Sequence, residues 1–306
     1  MAIRLEKLVR ERFALTHRRS REVISRGQID VAGALCLDPA LLVDPEAAIE
    51  FSPDRPRPDV AARRLNVLYE DKHILIIDKP AGVLTQPTPA KERDTLLERA
   101  GRYLTRKRRI AKPYVGIVHR LDQATSGAIL LVCSPTALRP FQSLFRDHAI
   151  ERLYLAYVEG VIEPTRGTIN LPLIADRGDG RRGVASDGSR GSAAITHYER
   201  LGRFGSLASE VACRLETGRT HQIRIHLAEL GHPVIGDQVY GRRPAPGSRH
   251  RPVFPISFPR QALHAQALGF IHPMTGQGVR VEAPVPGDLA DLAAALSHRS
   301  GGGVQR

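Results

Sequence analysis

Val118-His119-Arg120-Leu121-Asp122-Gln123-Ala124-Thr125-Ser126-Gly127 runs directly into Ala128-Ile129-Leu130-Leu131-Val132-Cys133. The second half is a continuous apolar run of strand length, which reads as a strand buried on both faces. The first half sets a carboxylate among polar and small residues at the lip of that strand. A charge held there is costly unless it has a partner or a task. Two readings stay open on this stretch alone. Asp122 either satisfies backbone donors of the Thr125-Ser126-Gly127 turn, the commoner role, or reacts.

The composition narrows the setting. With 306 residues, 42% hydrophobic and 25% charged, the chain can bury one sizeable core and carry an accessory module. Its 45 Lys and Arg exceed its 32 Asp and Glu, for a formal net charge of +13. That excess points to a polyanionic partner, and nucleic acid fits better than a membrane because no basic amphipathic helix with a broad aliphatic face stands out. Cys36, Cys133 and Cys213 are odd in number and far apart, with no spacing for zinc or a redox dithiol. The first residues lack the apolar region of a signal peptide, and no apolar run is long enough to span a bilayer. A cytoplasmic, reduced protein is expected.

Upstream, Leu5, Leu8, Val9 and Phe13 recur at helical spacing. A second short helix follows, with Ser20 as expected N-cap and Gly27 past its end, crowded by Arg18, Arg19, Arg21 and Arg26. Ile29 and Val31, then Leu35 and Leu37, alternate as a hairpin would. The polar, Pro-rich stretch from Ser52 to Asp59 reads as a linker. Ile74 to Ile77 predicts a buried strand that breaks at Asp78-Lys79-Pro80-Ala81-Gly82, placing Lys79 where a cation can face a cleft.

Downstream, Arg102, Arg106, Lys107, Arg108 and Arg109 form a basic run, and Ser134-Pro135 reads as a helix start, with Pro140 arguing for a late start or a kink. Arg152 to Val158 alternates as a strand, with Arg152 and Tyr154 on one face. Residues 176 to 192 read as a mobile basic loop. Thr220 is the expected cap of a helix with an apolar stripe of Ile223, Leu227 and Leu230, and Arg224 beside that stripe calls for a carboxylate. Late strands are expected around residues 263–273 and 279–281, and a closing helix through Leu289, Leu292 and Leu296. His264 and His272 have no nearby carboxylate or cysteine in sequence and read as structural.

Lys79-Pro80-Ala81-Gly82, His119-Arg120-Leu121-Asp122, Arg152 to Tyr157, Thr217-Gly218-Arg219-Thr220-His221-Gln222-Ile223-Arg224 and Leu263-His264-Ala265 to His272-Pro273, in that order, resemble the RluA-type pseudouridine synthases. Residues 4–51 resemble the small RNA-binding domain named after the S-four protein of the small ribosomal subunit. The resemblance implies an α+β fold, a mixed and largely antiparallel sheet flanked by helices, with a small N-terminal αα-hairpin-type RNA-binding domain. The implied boundaries are 1–52 for that domain, 53–65 for the linker, 66–297 for the catalytic domain and 298–306 for a disordered tail.

By the same resemblance the activity is a cofactor-free isomerisation of uridine to pseudouridine, most naturally in large-subunit ribosomal RNA or a pre-ribosomal particle. Asp122 is then the nucleophile, Arg224 its ion-pair partner and Tyr154 the ring that stacks on the target base. Arg120 fills the gap left by the extruded uridine. His119 and Lys79 are assigned to RNA contact or site structure, and Arg18, Arg19, Arg21 and Arg26 to RNA binding. Where the family often has Gly-Lys-Pro-Ala, this chain has Arg190-Gly191-Ser192-Ala193-Ala194. The alternatives are transfer RNA as substrate, a non-catalytic RNA-binding protein, or a hydrolase. A hydrolase would want a second carboxylate beside Asp122, and none lies within the motifs.

Overall fold

The computed structural model describes residues 3–31, 34–36, 39–53, 65–87, 94–176, 181–185, 191–241 and 254–301. They belong to two compact units, residues 1–64 and 65–306. The first contains β1 (Ile3–Arg4), α1 (Leu5–Arg12), α2 (His17–Ser25), β2 (Ile29–Val31), β3 (Ala34–Cys36), β4 (Leu42–Val43) and β5 (Ile49–Phe51). Leu5, Leu8 and Val9 of α1 pack on Val23 and Ile24 of α2 and on Ile29, which joins both helices to the β3-β2-β5 sheet. Thr16, not Ser20, caps α2: its hydroxyl accepts the Arg19 N–H at 3.2 Å. Ser20 lies one turn inside, where its buried hydroxyl donates to the His17 carbonyl. Gly27, at φ +69°, follows the helix end as expected. Of the expected linker, residues 54–64 lie outside the described residues.

The second unit contains β6 (Asn66–Glu70), β7 (Ile74–Lys79), α3 (Leu96–Arg108), β8 (Gly116–Ile117), β9 (Ser126–Val132), α4 (Pro135–Arg146), β10 (Ile150–Glu159), β11 (Arg166–Asn170), β12 (Leu173–Ile174), β13 (Gly183–Val184), β14 (Ile195–Phe204), β15 (Ala208–Leu215), α5 (Gln222–Glu229), β16 (Leu263–Ile271), β17 (Gly278–Glu282) and α6 (Gly287–Arg299). Ten strands make one sheet of order β11-β14-β15-β10-β16-β9-β7-β6, with β17 on β16 and β8 on β9. Among the described pairs only β16 with β9 is parallel. The mixed, largely antiparallel sheet with flanking helices is therefore present.

The opening apolar run is β9, and all seven of its residues are buried. Period two explains why. Ile129 and Leu131 face a core that includes Leu96, Ala100 and Leu104 of α3, Ile223 and Leu227 of α5, and Leu289, Leu292 and Leu296 of α6. Ala128, Leu130 and Val132 face Ala137 and Phe141 of α4. A strand covered on both faces has no place for the alternating polar residues of a half-exposed one.

Several local expectations are corrected. The basic run at 102–109 is the outer face and end of α3, with Lys107 and Arg108 reaching Glu70. Helix α4 starts at Pro135, and Pro140 sits inside it. The expected loop at 176–192 includes β13, which pairs with β12, while residues 177–180 and 186–190 lie outside the described residues. Helix α6 runs to Arg299, past the expected domain end at 297, and 302–306 lie outside the described residues. No helix among the described residues is long and apolar enough to cross a membrane.

Candidate active site

The loop between β8 and β9 carries Asp122, and its backbone is held from several sides. The Leu121 carbonyl accepts the Thr85 hydroxyl at 3.1 Å, and the Gln123 carbonyl accepts the Lys79 ammonium at 3.0 Å and the Gly82 N–H at 2.8 Å. The Ala124 carbonyl accepts Arg260 Nη1 at 3.2 Å, and the Asp122 carbonyl accepts the Thr125 N–H at 3.1 Å. Four successive carbonyls are thus paired, so the loop has one conformation to offer. The last bond closes the turn through the backbone carbonyl of Asp122, without its carboxylate.

That carboxylate meets Arg224. Asp122 Oδ2 accepts Arg224 Nη1 at 3.0 Å, and the side chain keeps 19% of its surface exposed. On its other edge Arg224 donates Nε and Nη2 to Asp237 at 2.6 and 2.9 Å, a bidentate pair. Asp237 is wholly buried and also accepts the Val239 and Tyr240 N–H groups. Burial works to raise its pKa, but Arg224 and the two N–H groups prevail and hold it below the usual carboxylate range. Burial likewise works against the Arg224 cation, and its two carboxylates override it. Arg224 also lies over the Tyr240 ring. Asp237 is a second carboxylate near Asp122 that the sequence reading missed. Locked in four hydrogen bonds, it is a fixed counter-charge and not a free acid or base.

Helix α5 aims Arg224. Its N-cap is His221, in the left-handed region at φ +61°, and not Thr220. Gln222 Nε2 donates to the Ile195 carbonyl and the Thr196 hydroxyl of β14, and its Oε1 accepts the Thr217 hydroxyl and the Arg219 N–H. His226 bridges Thr196 and the Leu171 carbonyl. The helix is buried from Gln222 to Leu227, so it shows more than the expected one-sided stripe, and Leu230 is partly exposed. His221 Nε2 stands 3.8 Å from Asp122 Oδ1, with its Nδ1 on the Tyr240 hydroxyl at 2.9 Å. Burial holds this imidazole below its ordinary pKa, against the pull of Asp122.

Asp122, Arg224 and Tyr154 line one cavity of about 480 Å³, together with His119, Arg120, Phe145, Arg152, Gly218 and Arg219. That lies within the roughly 300–1,000 Å³ of sites for small molecules. Tyr154 comes from β10, beside a register shift against β16 between Leu153 and Tyr154. It is buried, with no hydrogen bond to its hydroxyl among the described residues, and burial pushes its pKa up to about 12. Its phenol is therefore protonated near neutrality. Arg120 is exposed at the cavity wall.

Two expected RNA contacts are corrected. Lys79 is fully buried, and its ammonium donates to the carbonyls of Pro80, Val83 and Gln123 at 3.0–3.1 Å. A cation so enclosed holds loops and cannot touch a ligand. Burial draws its pKa down to about 7, with Asp122 opposing. His119 accepts the Leu130 N–H on Nε2 at 2.9 Å and stacks on Phe145 at 4.4 Å between centroids. Burial drives its pKa down to about 3, so it is a neutral wall residue rather than a cation for phosphate.

His264 is held between the Ser126 hydroxyl and the Ala283 carbonyl, and His272 lies against Asp71. No group of three His, Cys, Asp or Glu able to hold a metal occurs among the described residues. In the first unit Arg18, Arg19 and Arg21 are exposed on α2. Arg19 pairs with Glu22 at 2.9 Å, Arg21 with Glu6 at 3.4 Å, and Arg26 also reaches Glu22.

A buried arginine is thus held between two aspartates, one of them exposed to a cavity of nucleotide size. Residues 73–229 match the family model described as RNA pseudouridylate synthase, and the chain belongs to that family, whose members isomerise uridine in RNA to pseudouridine. It is 37% identical over 288 residues, 90% of this chain and 87% of the other, to the ribosomal large subunit pseudouridine synthase D of Zymomonas mobilis. It is 38% identical over 239 residues to the protein of that name from Pseudomonas aeruginosa, covering 76% and 72% of the two chains. The solved structure of human RNA pseudouridylate synthase domain containing 4 shares the fold, with a TM-score of 0.63 at 21% identity over 81% of this chain and 97% of that one.

Proposed function

We propose that this RNA pseudouridine synthase acts on uridines of large-subunit ribosomal RNA, with Asp122 as its nucleophile. The observation that carries the reading is the 3.0 Å pair between Asp122 and Arg224 at the wall of the cavity that Tyr154 also lines. The carboxylate is paired with a cation and partly open to the cavity. It attacks C1′ of the ribose as the bond from C1′ to N1 of uracil breaks. The freed base turns against the Tyr154 ring, C5 bonds to C1′, and the carboxylate leaves. The proton lost from C5 balances the one gained at N1, so the step needs no external reductant or oxidant.

Arg120 enters the space vacated by the extruded uridine, as its exposed position at the cavity wall allows. Arg18, Arg19 and Arg21 on α2 supply an RNA-binding face in an S-four-like N-terminal domain. The pair of Arg19 with Glu22 is of the weak surface kind, about 0–1 kcal/mol, and can be exchanged for phosphate. Asp122, Arg224 and Tyr154 come from one chain, which supports action as a monomer. Ribosomal RNA over transfer RNA is supported by the names of the relatives in Zymomonas mobilis and Pseudomonas aeruginosa.

Mapping pseudouridines in ribosomal and transfer RNA from cells lacking the protein tests the substrate. Loss at one or more large-subunit positions is expected, restored by the wild-type gene and not by Asp122→Asn. Loss confined to transfer RNA overturns the assignment.

A further inference from the structure

The mechanism above uses Arg224 and leaves a second buried arginine in the same cavity without a role. Arg152, two residues before Tyr154 on β10, is 5% exposed and lines the cavity. Its Nη2 donates to the carbonyls of Leu215 and Glu216 at 3.3 and 2.8 Å. Its Nε is buried without a partner, and Nη1 makes no hydrogen bond among the described residues. No carboxylate there pairs with it; its guanidinium lies over the face of Phe145, 5.9 Å away. A guanidinium removed from water with no counter-charge is strongly unfavourable unless an anion completes it.

The surroundings keep that position open. Gly218, also at the cavity wall, lies so close that a Cβ on it would stand 2.6 Å from Arg152 Nη1. Its φ is not in the positive range, so what a side chain there would disturb is the placement of the Arg152 guanidinium and not the backbone. Arg224, which lines the same cavity, is by contrast already neutralised by Asp122 and Asp237. An incoming anion therefore finds a buried, unmatched charge at Arg152. A uridine within RNA is flanked by phosphodiesters, each a monoanion whose planar pair of oxygens suits a guanidinium.

We propose that Arg152 is the anion-binding residue that receives a phosphodiester flanking the target uridine, and so seats the nucleotide against Tyr154 and Asp122. The assignment rests on the cavity being the uridine site. It makes Arg152 a binding residue, whose loss raises KM more than it lowers kcat.

The test uses the full chain and a synthetic RNA hairpin carrying the mapped uridine. In separate hairpins the 5′ or the 3′ linkage of that uridine is replaced by a neutral methylphosphonate. Wild type is expected to lose about tenfold or more in kcat/KM on one of the two neutral hairpins. Arg152→Met should lose a similar factor on natural RNA and nothing further on the sensitive hairpin, while Arg152→Lys, which keeps the charge, recovers part. Equal turnover of all hairpins by wild type overturns the proposal, and this arm stands even if Arg152→Met fails to fold. Losses that multiply between variant and hairpin also overturn it, and point to a contact with the base. Asp122→Asn is run alongside. If it forms normal product the cavity is not the reaction site, whereas an inactive Asp122→Asn with an indifferent wild type removes only the role of Arg152.

Discussion

Two sets of residues lining the cavity treat charge in opposite ways. In one, Arg224 is matched on both edges before any substrate arrives, and the loop of Asp122 has four consecutive carbonyls tied down. In the other, Arg152 is buried with no carboxylate, His119 is kept neutral, and the Tyr154 hydroxyl has no protein partner among the described residues. A finished electrostatic arrangement holds a group in one place. An unfinished one holds out unmet interactions to a ligand. On the proposed mechanism, the contrast separates residues that prepare the chemistry from those that receive the nucleotide.

The comparison is broken most completely at Asp122. Asp122→Asn keeps the shape of the wall and should bind RNA near wild-type affinity while forming no pseudouridine; normal product in a tritium-release assay would remove the nucleophile assignment. Asp237→Asn comes next, since it leaves Arg224 with half its counter-charge in a dry setting. A stability loss of about 3–5 kcal/mol in urea unfolding is expected, with a fall in kcat beyond the fraction unfolded. If Asp237→Asn matches wild type in both, Asp237 does not hold Arg224 in place.

Lys79→Met removes three donated hydrogen bonds behind the same loop. The Gln123 carbonyl keeps the Gly82 N–H, whereas the carbonyls of Pro80 and Val83 are orphaned, each at a cost of about 1–3 kcal/mol where water cannot replace the donor. Unfolding should therefore shift clearly, with RNA affinity of the folded fraction unchanged; a selective loss of affinity would return Lys79 to the RNA surface.

His119 offers the smallest and most specific test. Its pKa is about 3 in the folded chain against an ordinary 6.5, so between those values the unfolded chain binds a proton that the folded chain does not. Its contribution is intact above about pH 6.5 and is lost as the pH falls toward 3, with a slope of up to about 1.4 kcal/mol per pH unit. His119→Phe should lower stability at pH 7 by removing the acceptor for the Leu130 N–H, and then lose less than wild type between pH 6 and 4. Parallel slopes would mean that the imidazole is not shielded.

Much of this was legible in the chain itself. The run from Ala128 to Val132 was readable as a doubly covered strand because both faces demand apolar side chains. The partner for Arg224 was anticipated because a cation beside an apolar stripe is unsatisfied without one. What escaped the reading depends on distance along the chain. Asp237 follows Arg224 by thirteen residues in a loop with no periodicity, so nothing local marks it as a counter-charge. Lys79 looked like a surface cation because lysines after apolar strands mostly are; two of its acceptors, in residues 80 and 83, are local, but Gln123 is 44 residues away. Helix α3 had a detectable signal in Leu96, Ala100 and Leu104 at intervals of four, hidden by the arginines that crowd its other face.

The placement of β16 bears on how the enzyme comes into being. This strand, residues 263–271, lies between β10 and β9 and joins the antiparallel group β11-β14-β15-β10 to the group β9-β7-β6. Asp122 belongs to the second group, and Arg224 follows β15 of the first. Gly127 of β9, at φ +112°, fits so tightly beneath Ala265 that a Cβ would stand 2.2 Å from its carbonyl oxygen. A nascent chain that has emerged only as far as Glu229 holds both members of the reactive pair and nothing to join the sheets that carry them. Two open strand edges would face water until β16 is made. The pair is brought together only when β16 joins the two groups, and the strand works as a clasp.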